Sequence, residues 1–269
     1  MAENTREKSA DTLRTLLNAE VRRRGSSVAI SAKSGERYIN FSRKTLRENA
    51  HSLGAALRAD GYEGKNIVIA GENGYFWAMS YLAVTCYCGT ALPLSRSLEP
   101  ETFANIASDC SAPLAILGDE CESIAAALKG KGIKTISFSD LDSLILRGST
   151  EKPGHHQLSP DTVAELAVSS GTEGRIKIAE LTHANLCFTL SQLSKMLPVG
   201  EAEVFYSVLP LTHRYERICG FLYPLCSGAT VAYGEGLRHL STNLRTVRPT
   251  VILCVPFVLD RIYSKIWQN

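Results

Sequence analysis

The sequence has no apolar run approaching the roughly 18 residues that cross a bilayer as a helix. Its opening stretch, Met1 to Ser9, is polar and charged, without the apolar centre of a secretory signal. It has no Cys-x-x-Cys pair: Cys86 and Cys88 are separated by one residue, and no His or Cys cluster follows at zinc-finger spacing. An excess of one charge is missing too. The 29 Lys+Arg against 27 Asp+Glu leave a net +2, which excludes the broad basic footprint of a nucleic-acid binder. The run Arg22, Arg23, Arg24 reads as a solvated helix end. Glycine (20) and proline (10) stay at ordinary usage, so collagen-like and low-complexity architectures are excluded as well. These absences predict a cytoplasmic protein with reduced cysteines and no transmembrane segment.

What is present is alternation. Leu13, Leu16, Leu17 and Val21 recur at helical spacing after Asp11, a candidate N-cap. Val28–Ile30 and Tyr38–Phe41 flank a Ser34-Gly35 turn as a hairpin, and Ser42 caps a helix striped with Leu46, Ala50, Leu53 and Leu57. Short β-rich runs at 67–70, 91–94, 114–117 and 135–137 then alternate with helical segments, one opened by Pro100. Residues 147–160, with two Pro, two Gly and the pair His155-His156, read as an exposed linker in which both histidines are solvated. Beyond it come a strand at 163–168, a helix at 182–197, a strand at 204–209, a helix at 218–225, a strand at 230–232, a helix at 237–247, a strand at 251–255 and a helix from Pro256 to Trp267. The pattern predicts an α/β protein with mostly parallel sheets and flanking helices. It divides into a first α/β subdomain over 1–150 and a second over 151–269.

The segment Val168-Ser169-Ser170-Gly171-Thr172-Glu173-Gly174-Arg175-Ile176-Lys177 follows a predicted strand and precedes a predicted helix. Small hydroxylated residues and two glycines let hydroxyls and backbone N–H groups close around an oxyanion, and a lysine adds positive charge. This is the composition of a phosphate loop, although an ordinary Ser/Gly-rich turn has the same residues. It is not a Walker loop, because Arg175 and Ile176 intervene between Gly174 and Lys177. No G-x-G-x-x-G follows the early strands, so a dinucleotide fold is excluded.

Together with Leu181-Thr182-His183-Ala184-Asn185-Leu186, this segment resembles the phosphate loop of the AMP-forming acyl-CoA synthetases, T-S-G-T-T-G-x-P-K-G followed by L-T-H-x-N-L. Leu209-Pro210-Leu211-Thr212-His213-Arg214-Tyr215-Glu216-Arg217 resembles the LPLAHxxER segment of the long-chain fatty acid branch. Arg248-Pro249-Thr250, Val255-Pro256-Phe257 and Arg261-Ile262-Tyr263-Ser264-Lys265-Ile266 resemble its RPT, VPR and ERIYxKI stretches, and Gly71-Glu72-Asn73, Trp77, Gly89 and Pro93 also match.

The resemblance implies the layered α-β-α-β-α N-terminal region of an adenylate-forming enzyme, with ATP, Mg²⁺ and CoA as reaction partners and a fatty acid as substrate. It places Ser169, Ser170, Gly171, Thr172, Gly174 and Lys177 on the β- and γ-phosphates. His213 falls at the wall between the acyl pocket and the reacting carboxylate, where a hydrogen-bonded structural role is the alternative; Glu216 and Arg217 read as a structural ion pair, with a catalytic role as the alternative. No metal ligand is assigned. Three residues depart from the family pattern: Glu173 for Thr, Ile176 for Pro and Ile178 for Gly, the last predicting an altered loop after Lys177.

The family's YGxTE and TGD segments, its hinge and its C-terminal lid have no counterpart before Asn269. The expectation is an N-terminal portion that does not complete turnover alone. It would self-associate through an exposed face of the last helix formed by Val258, Ile262 and Ile266. A non-catalytic acyl- or nucleotide-binding relative, acting as a binding or regulatory protein, is the alternative.

Overall fold

The computed structural model describes residues 12–151, 156–170, 176–236 and 239–267. Its strands in chain order are β1 (Val28–Ser34), β2 (Arg37–Ser42), β3 (Asn66–Ala70), β4 (Thr90–Pro93), β5 (Leu114–Leu117) and β6 (Lys134–Ser137). They continue with β7 (Val163–Ser170), β8 (Ile176–Thr182), β9 (Val204–Ser207), β10 (Thr230–Tyr233) and β11 (Val251–Ile252). The helices are α1 (Leu13–Arg24), α2 (Arg43–Ala59), α3 (Tyr75–Tyr87), α4 (Pro100–Asp109), α5 (Glu122–Gly130) and α6 (Leu141–Ser149). Then follow α7 (His183–Met196), a π-helical segment (Glu216–Leu222) that runs into α8 (Tyr223–Ser227), α9 (Leu240–Val247) and α10 (Pro256–Trp267).

Two sheets result, in the orders β11-β9-β10-β1-β2 and β6-β5-β3-β4-β7-β8. Every pairing is parallel except the two hairpins, β1/β2 and β7/β8. The sheets are not divided at position 150: β1 and β2 join the strands after 200, while β7 and β8 complete the sheet begun by β3.

The period-two alternation of side chains along each strand builds the layers. Ile67 and Ile69 of β3 face a central core that also holds Leu46, Leu53, Trp77 and Val231, whereas Val68 and Ala70 face Phe103, Ile106 and Leu128 of α4 and α5. On the other sheet Tyr206 and Ala232 meet Leu240 of α9 and Val258 of α10. The order is therefore helices, sheet, central helices, sheet, helices. Nearly every residue of α3 is buried, which its all-round apolar sequence requires of a central-layer helix.

Local differences from the sequence reading have simple causes. Thr12, not Asp11, caps α1, accepting the Thr15 N–H at 3.2 Å. Helix α6 occupies the start of the proposed linker. His156 is buried: its Nδ1 lies 3.1 Å from Glu63 and its carbonyl accepts from Arg14 at 2.7 Å, so it is not solvated. His155 lies outside the described residues. Of the apolar face assigned to α10, Val258 is covered by the α9 side of the sheet; the Ile262 and Ile266 side chains lie outside what is described. Among the described residues no helix is long and apolar enough to cross a membrane.

Candidate active site

In parallel strands the chain leaves every carboxyl end on the same side, and the loops there form a crevice. Here the turns after β3 (Gly71–Asn73), β4 (Ser95–Ser97), β9 (Ser207 onward) and β10 (Gly234–Gly236) enclose a cleft of about 560 Å³ that draws walls from both sheets. Asn73 ties the walls together. Its Nδ2 donates to the Leu209 carbonyl at 2.7 Å and to Ser207 Oγ at 3.2 Å, and its Oδ1 accepts the Leu211 N–H at 2.9 Å. Arg96 on the opposite wall pairs with Glu72 at 2.9 Å and with Glu120 at 3.5 Å. The Thr212 hydroxyl in the lining is buried with no hydrogen-bond partner among the described residues.

The phosphate-loop residues stand at the neighbouring strand end. Strand β7 runs parallel to β4 with Ala91 opposite Glu165, so Ser169 lies as far beyond that pairing as Ser95 does on β4. Ser169 pairs with Lys177 across the hairpin, and its Oγ lies 3.5 Å from the Lys177 carbonyl. Ser170 ends β7. Gly171, Thr172, Glu173 and Gly174 lie outside the described residues. Neither Ser169 nor Lys177 lines the cleft itself.

Residues 176–182 form strand β8, so the loop joins two strands rather than a strand and a helix. Ile178 is paired with Val168 in extended backbone, where a β-branched side chain is at ease. The Thr-His-x-Asn motif that follows is a helix start. Thr182 Oγ1 accepts the Asn185 N–H at 3.2 Å while Asn185 Oδ1 accepts the Thr182 N–H at 3.1 Å, a reciprocal cap. His183 is fully buried, with Nδ1 accepting the Leu13 N–H at 3.2 Å; burial holds its imidazole down to about 4, so it is neutral and structural.

His213 is exposed beside Thr212 but does not itself line the cleft. Its backbone begins the helical turn, donating to the Pro210 carbonyl at 2.9 Å and accepting the Arg217 N–H at 3.0 Å. The expected Glu216–Arg217 ion pair is not formed. Arg217 turns instead to Glu165 of β7, making a two-pronged pair through Nε (2.7 Å to Oε2) and Nη2, while Nη1 donates to the Leu211 carbonyl at 2.6 Å. Tyr81 of α3 donates to the same carboxylate at 2.8 Å. Burial works against the Arg217 charge, but Glu165 more than offsets it and holds the guanidinium above its ordinary range.

Glu216, next to Arg217 in the chain, takes no part in this cluster. It is fully buried and neither oxygen completes a hydrogen bond. Burial pushes its carboxyl up to about 7, with only the nearby Ser207 hydroxyl pulling the other way. The surrounding π turn is rare in proteins and frequent at functional sites. Gly220 leaves room for the Glu216 side chain within it: a Cβ there would come within 2.6 Å of Glu216 Oε1.

Motif reading gave no role to Glu165 and quoted Asn73 only as part of a matching run. A lone acid inside the run Val163-Ala164-Glu165-Leu166-Ala167-Val168 was the available signal for the first, since a buried strand tolerates a charge only with a partner. No group of three or more His, Cys, Asp or Glu side chains converges as a metal site among the described residues.

The profile of a family described as AMP-binding enzyme matches residues 17–267. Long-chain-fatty-acid–CoA ligase 5 of Mus musculus is 28% identical over 271 residues, covering 88% of this chain and 39% of its own length. Long chain acyl-CoA synthetase 2 of Arabidopsis thaliana is 27% identical over 274 residues, covering 91% and 41%. The match falls on the N-terminal portion of such ligases, and the chain spans about two-fifths of the length of these curated relatives. In fold, the crystal structure of a long-chain-fatty-acid–CoA ligase from Archaeoglobus fulgidus superposes with a TM-score of 0.85 at 17% identity, over 96% of this chain and 54% of that one.

Proposed function

This chain belongs to the AMP-binding enzyme family, and on that premise we propose that it furnishes the carboxylate- and triphosphate-binding side of an ATP-dependent fatty acyl-CoA ligase. In the proposed reaction a carboxylate oxygen attacks the α-phosphorus of ATP and the bond to pyrophosphate breaks, leaving an acyl-adenylate. The thiolate of CoA then attacks the acyl carbonyl and expels AMP. Joining one anion to another needs positive charge and N–H or O–H donors where the pyrophosphate departs. The Lys177 ammonium, the hydroxyls of Ser169, Ser170 and Thr172, and the backbone at Gly171 and Gly174 are assigned that role, with His213 beside the carboxylate.

Magnesium would enter bound to the triphosphate and neutralise its charge; no residue described here is assigned to it. The chain spans about two-fifths of the length of the curated relatives it matches, so the complete reaction is proposed for a ligase of that length. The buried thiols, such as Cys86 pushed up to about 12, fit action in a reducing cytoplasm.

The observation that carries the reading is the alignment of the Ser169–Lys177 hairpin end with the Asn73-clamped cleft at the strand carboxyl ends. Ile178 is accommodated within β8, opposite Val168. The test is calorimetric titration of the chain with MgATP and with pyrophosphate. Lys177→Ala, on a half-exposed strand that tolerates it, is expected to weaken both by about tenfold, the worth of one charge-assisted contact. Binding that is absent, or indifferent to Lys177, would overturn the assignment. Acid-dependent ATP–pyrophosphate exchange by the native gene product tests the full reaction.

A further inference from the structure

Behind the wall formed by Glu72, Asn73 and Gly234, a second cavity of about 560 Å³ opens between the β1/β2 hairpin, the start of α3 and the start of α6. One side is a continuous row of rings. Phe41 stacks on Tyr75, Tyr75 meets Phe76 edge-on at 5.7 Å between centroids, and Phe76 lies 6.3 Å from Phe138. Phe138 can close the row because Gly71 has no side chain; a Cβ there would come within 2.7 Å of its ring.

The exposed rim carries carboxylates. Glu72 and Glu120 are engaged by Arg96, and Asp119 accepts the Ser139 N–H at 3.2 Å through one oxygen. Asp142 has no hydrogen-bond or ion-pair partner among the described residues. The lysine in the lining, Lys33, is already turned to Glu235 at 3.7 Å. At the buried side stand two polar groups without a hydrogen-bond partner among the described residues: the indole N–H of Trp77, a residue 0% exposed, and the hydroxyl of Tyr233, 1% exposed. A buried N–H that can only donate, left empty beside a cavity, is costly unless a guest supplies an acceptor.

We propose that this cavity binds an organic ammonium ion with an aromatic body and a hydrogen-bond acceptor at its far end. The cation sits among Asp142, Asp119 and the ring faces of the rim, where carboxylates and π faces both favour positive charge. The body lies along the Phe41–Tyr75–Phe76–Phe138 row, and its distal oxygen accepts from Trp77 and Tyr233. The site is separate from the adenylation cleft, shares a wall with it, and does not depend on the ligase reading.

The test is isothermal titration of the whole chain with three probes: tyramine, phenethylamine, which lacks the distal oxygen, and tyrosol, which carries a hydroxyl in place of the ammonium. Tyramine is expected to bind about tenfold more tightly than tyrosol and about threefold more tightly than phenethylamine. Asp142→Asn, at an exposed position, is expected to weaken tyramine about fivefold while leaving tyrosol unchanged, and Trp77→Phe combined with Tyr233→Phe to erase the difference between tyramine and phenethylamine. Far-ultraviolet circular dichroism confirms that each variant is folded. Equal binding of tyramine and tyrosol, indifference to Asp142→Asn, or no binding of tyramine up to about 10 mM would each overturn the proposal.

Discussion

Glu165 and Glu216 are both almost completely buried carboxylates, at 1% and 0% exposure, yet their surroundings are opposite. Glu165, on β7, receives a bidentate arginine and a tyrosine hydroxyl and joins the β3–β8 sheet to the segment after β9. Glu216, adjacent to that arginine in the chain, has no completed hydrogen bond and retains its proton to about neutrality. Burial alone therefore does not determine the state of an acid. One has an arginine and a tyrosine to offset its burial; at the other, burial acts with little opposition and pushes the carboxyl up to about 7.

The largest expected effect comes from breaking the partnered site. Glu165→Ala leaves a buried guanidinium without its counter-charge and should lower unfolding stability by about 3–5 kcal/mol in urea titrations. The double change Glu165→Leu with Arg217→Met should lose distinctly less, since no lone charge remains; additive losses would show that the pair contributes no coupling.

The unpartnered site is sharpened by pH. Between 4.5, the ordinary value, and about 7, the folded chain holds a proton on Glu216 that the unfolded chain has released. Stability therefore falls as pH rises through this window. Relative to Glu216→Gln, which cannot titrate, the protein should lose on the order of 3 kcal/mol from pH 4.5 to above 7. A difference independent of pH would mean that Glu216 is ionised throughout.

The smallest effect lies beside the partnered region. Thr182→Ala removes one half of the cap on α7 and should cost about 1 kcal/mol while leaving pyrophosphate affinity unchanged. A loss of affinity without a loss of stability would return the Thr-His-x-Asn motif to the phosphate site.

Much of the fold was legible because it rests on local rules. The alternation of β-rich and helical runs, the Ser42 cap, the Pro100 helix start and the first hairpin need only neighbours in sequence. Strand β8 was not, because Ile176 to Thr182 follows a Ser/Gly-rich stretch and precedes a helix cap, and only pairing with β7 makes it extended. The motif residues pointed to the phosphate loop, but composition could not separate His183, locked under α1, from His213, exposed beside the cleft.

By itself the sequence determined the element types, the layered class and the motifs that relate the chain to adenylate-forming enzymes, since periodicity and capping act over a few residues. Only the tertiary structure decided that β1 and β2 join strands some 200 residues later, that Asn73 clamps two sheets, and that Arg217 chooses Glu165 over its neighbour Glu216. Those outcomes depend on which groups are brought together and dried by packing, and distance in space is not written in distance along the chain.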